Sequence, residues 1–256
     1  EVEIMTDTIL PPIDPSQIDA VIEQLSAAFE RDQRINLHRS PVNFRVEAGI
    51  LFLEGTVEDI AAKRRARALC REVVKDRMPV QDELRRQVTD SMGDRELRDE
   101  AVKRLTNEPV FGGYTMRTHT GDKSTLVHDG GQDAHEVMIE VADGVITLKG
   151  SVGSLSHRRL AETLMWWIPG CERVDNLLDI TPPEEDTDNE INDAVQIVLE
   201  KDPMVHADQL RIGTAAGVVH LDGLVATSEE RAFAELDAWT VAGVSDVLNR
   251  LEVQGQ

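Results

Sequence analysis

The sequence predicts an α+β protein of three tandem αββαβ modules, each a small three-stranded sheet covered on one face by two helices. Three observations carry this expectation. A short pattern of glycine, apolar run, glycine and valine occurs in three places, an amphipathic helical stretch follows each copy, and another amphipathic segment precedes each.

The pattern reads Gly49-Ile50-Leu51-Phe52-Leu53-Glu54-Gly55-Thr56-Val57 in the first copy, Gly144 to Val152 in the second and Gly217 to Val225 in the third. Its leading glycine (Gly49, Gly144, Gly217) suits a tight two-residue turn, as in Asp143-Gly144, and the apolar run behind it has strand character. The second glycine (Gly55, Gly150, Gly223) sits at the same place in every copy. Upstream, Phe44 and Val46, then Val137, Ile139 and Val141, then Leu210 and Ile212 alternate with other residues and form the first hairpin strands.

Behind each hairpin comes a helix: Ile60 to about Lys75, Leu155 to Ile168, and Ser228 to Val241. Ala66, Cys70 and Val73 align with Ala161, Met165 and Ile168, and with Ala234, Ala238 and Val241. Steps of four and three keep each trio on one helix face, so they are the buried stripe. Pro169-Gly170 and Ala242-Gly243 stop the second and third of these helices.

A closing strand follows, with Val174, Asn176, Leu178 and Ile180 alternating in copy two and Val247, Asn249, Leu251 and Val253 in copy three. Copy one is looser, with Val80, Leu84 and Val88. Ser16 to Phe29, Glu96 to Leu105 and Asn189 to Leu199 supply the leading helices, and proline stops the last two at Glu108-Pro109 and Asp202-Pro203. The expected organisation is an extended arm over 1–15, module 1 over 16–90, module 2 over 94–181 with an insertion at about 110–134, and module 3 over 188–254.

The Gly-Val-x-x-Leu-x-Gly-x-Val run, the helix, the Pro/Ala-Gly turn and the Val-x-Asn-x-Leu strand resemble the BON domain, found in osmotically inducible periplasmic proteins, some channels and secretin-related proteins. The resemblance covers about residues 16–254 and departs in copy one, where Met78-Pro79-Val80 replaces the Gly-Val turn. It implies an αββαβ fold, attachment to phospholipid membranes or to other proteins, and no catalytic residues.

Charge narrows the partners. The net charge is −21, and residues 182–256 hold 16 acids against 4 bases. Such a surface repels nucleic acid and anionic lipid, so an anionic partner needs a local basic patch. The second helix of copy one offers one: Lys63, Arg67, Arg71 and Lys75 at four-residue steps, with Arg64 adjacent. The stripe is either an anion or partner site or a solvated helix face.

Trp166 and Trp239 share one repeat position, a residue beyond the core stripe, and Trp167 adjoins the first. That offset turns them about 100° away, toward the margin of the buried face. They are therefore expected half exposed, as interface residues between modules or to another molecule, or else within their own core.

The insertion in copy two is read as a long loop: 35 positions separate Pro109 from Gly144, against 14 from Pro203 to Gly217. It carries His119, His128, Asp129, Asp133 and His135, whose spacing matches no zinc pattern, so titratable loop residues are expected rather than a metal site. Cys70 and Cys171 read as two reduced, buried thiols.

No nucleophile elbow, phosphate loop or metalloprotease motif occurs. The functional expectation is a non-catalytic binding or scaffolding protein without cofactor, taking a protein partner or itself, with phospholipid as the other partner class. The alternatives are a small-ligand or metal sensor using the insertion, and a phospholipid-binding envelope stress protein. The two unpaired cysteines place it in the cytoplasm, or in the periplasm if a leader precedes residue 1.

Overall fold

A computed structural model of the protein describes residues 15–255 apart from 90, 91, 122 and 133. The expected N-terminal arm therefore lies outside the described residues, except for Pro15, which opens the first helix.

Module 1 runs α1 (Pro15–Arg31), β1 (Val42–Glu47), β2 (Ile50–Val57), α2 (Ile60–Val74), β3 (Val80–Asp82) and β4 (Arg85–Arg86). Module 2 runs α3 (Asp94–Asn107), β5 (Thr115–Thr120), β6 (Lys123–His128), β7 (Glu136–Ala142), β8 (Val145–Val152), α4 (Leu155–Trp166) and β9 (Arg173–Ile180). Module 3 runs α5 (Asp188–Lys201), β10 (Leu210–Ala215), β11 (Val218–Val225), α6 (Ser228–Thr240) and β12 (Asp246–Val253).

In every module the hairpin is antiparallel, and the closing strand lies parallel to its second strand, which requires the intervening helix as crossover. The hairpin turns Ala48-Gly49, Asp143-Gly144 and Ala216-Gly217 all place two successive residues at positive φ. Those are the dihedrals of the two-residue turn that matches strand twist. The second repeat glycine has a different reason. Gly150 has φ +111°, and a Cβ there would sit 2.0 Å from the Glu136 carbonyl oxygen. Gly55 and Gly223 meet the Pro41 and Gln209 carbonyls in the same way.

Two polar devices recur as well. Asp94 and Asp188, at the first positions of α3 and α5, each accept two backbone N–H bonds from the neighbouring hairpin turn, at 2.9 and 3.0 Å and at 2.7 and 2.9 Å. The Gly144 and Asp143 amides hold the Asp94 carboxyl below its usual range. The strand asparagines bridge to the crossover helix: Asn176 donates to the Arg158 carbonyl at 2.9 Å, and Asn249 to the Arg231 carbonyl at 3.1 Å.

Copy one replaces this bridge with charge. Lys63, at the repeat position of Arg158, donates to Asp82 and to the Leu84 carbonyl, both at 2.7 Å. These bonds span the break between β3 and β4, so the closing strand is split, with both pieces paired to β2; of the three residues expected in it, Val80 lies in β3, Leu84 in the break and Val88 beyond β4.

The insertion is not a loop. It folds as the β5–β6 hairpin, and β5 pairs parallel to β7, giving a five-stranded sheet of order β6-β5-β7-β8-β9. Thr115 to Thr120 carries its own strand alternation, with Met116 and Thr118 buried, so it extends the sheet instead of looping over it.

Modules 2 and 3 share one continuous buried apolar cluster, which takes in Ile60 and Ala61 of α2. Module 1 otherwise keeps a separate core built on Leu25, Phe29, Leu51, Leu53, Ala66 and Cys70. Cys70 and Cys171 are free and buried, and burial pushes each thiol up to about 12.

Candidate functional site at the module junction

A helix ends with unpaired carbonyls, which a guanidinium satisfies well. At this junction, arginines of one module close the helix ends of the next. Arg86, at the end of the module 1 sheet, donates to the carbonyls of Trp166 at the end of α4 and of Ile168 and Cys171 just beyond it, at 3.3, 3.3 and 2.8 Å. Its backbone N–H adds a 2.7 Å bond to Glu172.

Arg64 and Arg159 occupy the same repeat position in α2 and α4, and both reach the end of α6. Arg64 donates to the Thr240 carbonyl at 3.2 Å, and Arg159 to the Ala242 carbonyl at 2.8 Å. Arg64 also pairs with Glu162, so one residue from each module meets at a single buried point. Burial by itself would raise the Glu162 carboxyl, but the Arg64 charge and hydrogen bonds from Arg64, Trp166 and Asn176 outweigh it and hold the group below its usual range.

The basic stripe expected on copy one is thereby divided. Lys63 and Arg64 are buried, with their charges already engaged by Asp82 and Glu162, and they are not open to an outside anion. Arg71 and Lys75 are exposed and Arg67 is half-buried. The stripe does lie along one face of α2, but Lys63 turns to the closing strand of its own module and the docking of modules 2 and 3 covers Arg64.

Trp166 and Trp239 are more buried than expected. Trp166 and Trp239 are only 2% and 0% exposed, so neither meets another molecule. Both face a seam instead: Arg86 of module 1 lies 5.8 Å over Trp166, and Arg34 lies 5.1 Å over Trp239. The 100° offset turned them toward a neighbouring module, which a single repeat does not reveal. Trp167 alone is half-buried, donating to Asp237 at 2.9 Å. Burial, with Asp202 alongside, pushes the Asp237 carboxyl up to about 8.

Two of the concavities that open here bear on function. One is a groove of about 480 Å³ between modules 2 and 3, with Trp167, Ile168 and Pro169 on one side. Met204, Phe233 and Leu236 line the other side, and they are 56%, 38% and 42% exposed. The other is a polar cleft of about 470 Å³ to which all three modules contribute, with Arg67, Arg71 and Arg158 along it.

The three histidines of the insertion do not converge. His119 pairs with Glu140 at 3.1 Å, His128 bonds the Gly112 carbonyl at 3.0 Å, and His135 bonds Ser151 at 3.1 Å while stacking on Tyr114. Asp133 lies outside the described residues. Among the described residues no three potential metal ligands form a cluster. The root of the hairpin is instead fastened by Tyr114, whose hydroxyl shares a 2.6 Å hydrogen bond with His157 and accepts from the Gly153 amide at 3.0 Å.

Sequence reasoning missed Arg86, Arg159, Glu162, Asp237 and, of the groove residues, Met204, Phe233 and Leu236. One signal for Arg159 was present: it stands two places before the core alanine Ala161, as Arg64 does before Ala66. Nothing in the local sequence of Met204, Phe233 or Leu236 marks them as neighbours.

No curated protein matches the chain. Among solved structures it is similar to the C-terminal domain of CdsD, the structural protein of the Type III secretion system of Chlamydia trachomatis. That alignment has 16% identity, covers 94% of this chain and 99% of that one, and has a TM-score of 0.24. A second structure of CdsD aligns at 16% identity over 91% of each chain, with a TM-score of 0.22. The family model of the BON domain matches residues 18–88, 123–182 and 187–255, the middle match starting inside the inserted hairpin that parts α3 from its module. With its three αββαβ units and most of its length matched in this way, the chain belongs to the BON domain family.

Proposed function

We propose that this chain is a non-catalytic scaffold that holds a protein partner in the groove between modules 2 and 3. The observation that carries this reading is the set of exposed apolar side chains, Met204, Phe233 and Leu236, gathered across the groove from Trp167. Clustered exposed apolar groups around a half-buried aromatic are the usual composition of an interface centre. Charge favours a protein over an anionic membrane, because the net −21 surface opposes lipid headgroups at long range. A second copy of the chain is one such partner, and salt that screens the mutual repulsion would favour its binding.

Placing a photo-crosslinking residue at Leu236 tests the reading, together with sedimentation of the purified chain over a range of concentration. The expected result is a defined adduct, with another protein or with a second copy, that disappears when Met204→Glu and Phe233→Ser are added beside the crosslinker with unchanged circular dichroism. A chain that sediments as a monomer and gives no reproducible adduct would overturn it.

A further inference from the structure

The polar cleft at the three-module junction has a charge balance opposite to that of the protein. Six cations line it: Lys63, Arg64, Arg67, Arg71, Arg158 and Arg159. Three of them are neutralised in place, Lys63 by Asp82, Arg64 by Glu162 and Arg159 by Asp186. The remaining acid on the cleft, Asp175, is taken by Arg173 at 2.8 Å. Arg67, Arg71 and Arg158 are left without a carboxylate among the described residues, in a chain whose net charge is −21.

Unsatisfied donors accompany the surplus charge. Arg64 Nε, Arg67 Nε and Arg159 Nη1 are buried with no hydrogen-bond partner among the described residues. Arg64 and Arg159 are each more than nine-tenths buried. A buried N–H without an acceptor is costly, and native proteins leave few of them. Burial, then the nearby charges of Arg71 and Arg64, lower the Arg67 pKa, so these arginines already disfavour one another.

We propose that this cleft binds a phosphate-class oxyanion, approached by Arg67 and Arg71 from α2 and by Arg158 from α4. Planar guanidinium forks match the geometry of phosphate oxygens, and a site fed from two elements favours a multiply charged ligand over a single carboxylate. At about 470 Å³ the cleft is within the usual range of small-molecule sites and holds the phosphate with part of its carrier. Arg67 and Arg71 also line a smaller cleft of about 240 Å³ against module 3, so an anion there draws on the same side chains. Because the arginines come from different modules, the bound anion fastens module 1 to module 2. Only Trp166 lines both this cleft and the apolar groove, so the two inferences stand or fall separately.

Calorimetry of the full chain with inorganic phosphate and with pyrophosphate at low salt tests the proposal, alongside flotation on phosphatidylcholine vesicles with and without phosphatidylglycerol. Saturable heat is expected, weakened at least about tenfold in each of Arg67→Gln, Arg71→Gln and Arg158→Gln. Phosphate should raise the Tm of the unaltered chain and not that of the triple variant. Without anion, Arg67→Gln should melt higher than the unaltered chain, since it relieves like-charge repulsion; an arginine with a purely structural role would melt lower when replaced. Binding confined to phosphatidylglycerol vesicles and lost in the same variants assigns the phosphate to a lipid headgroup, whereas binding in solution assigns it to a free compound. Silence in calorimetry and flotation, or binding unchanged in the triple variant, overturns the proposal; Arg71 is exposed, so its replacement leaves the fold intact for this comparison.

Discussion

Modules 1 and 3 carry the same repeat but join the rest of the molecule by different chemistry. Module 3 merges with module 2 into one apolar cluster, with Val195, Val198 and Leu199 of α5 and Trp239 of α6 fully buried in it. Module 1 keeps its own core and attaches mainly through Arg34, Arg64, Arg85 and Arg86, whose partners are carboxylates and carbonyls of the other two modules. Apolar burial responds weakly to pH and salt, while ion pairs respond to both. The module 1 seam is thus the more salt-sensitive, and pH reaches the seam between modules 2 and 3 through the buried Asp237 carboxyl. A repeat protein can therefore be one rigid body at one seam and a conditional assembly at the next.

The largest expected effect is at the buried pair. Glu162→Ala leaves Arg64 buried without its counter-charge, at a cost of about 3–5 kcal/mol. Amide exchange should then show module 1 opening well before modules 2 and 3. If all three modules lose protection together, the contrast between the two seams is wrong.

Acid should have the same effect in the unaltered chain. The Glu162 pKa is depressed in the folded state, so its contribution is present above the ordinary carboxylate value of 4.5 and is lost as pH falls through the lower folded value. Asp237 at the other seam has the opposite sign. Its folded pKa is raised from 3.8 to about 8, so the folded chain holds a proton that the unfolded chain releases, and stability falls as pH rises across that interval. Denaturant titrations from pH 4 to 8 should show that fall, and Asp237→Asn should flatten it. A slope unchanged in the variant would remove Asp237 from this account.

Within a module, Asp188→Ala removes two backbone bonds to the hairpin turn and should cost about 1–3 kcal/mol in chemical denaturation. Asp94→Ala should match it, since the two clamps occupy one repeat position. A large difference between them would mean that the repeats are not equivalent even internally. The smallest effect belongs to Arg85→Ala. Its pair with Glu172 is more than a quarter exposed on both sides, so about 1 kcal/mol or less is expected in the same measurement.

The elements were legible in the sequence because each repeats a local rule. One such rule went unread: Asp59, Ser154 and Thr227 stand at the same place in the three copies, and each caps the helix that follows it. Val80, Leu84 and Val88 were harder to place, because copy one has the acid Asp82 where copy two has Asn176, and Lys63 where copy two has Arg158. The inserted hairpin was hidden by its composition: Lys123 to Val127 is an exposed edge strand, without the apolar alternation that marks a buried one. The basic stripe lies along α2, yet whether Arg64 met solvent depended on Glu162 and Thr240, far along the chain.

By itself, the sequence of this BON domain protein determined the three αββαβ units, their turns and their core faces. All of these follow from interactions between residues close in the chain, and the threefold recurrence multiplies the signal. Only the tertiary structure decided which of the shared positions became seam, cleft or groove. Arg64, Glu162 and Thr240 meet from three modules, and Arg67 and Arg158 are brought to one cleft, through contacts with no period and no spacing. Burial of a charge is a property of what docks against it, and docking is set by the sum of two surfaces rather than by either one alone.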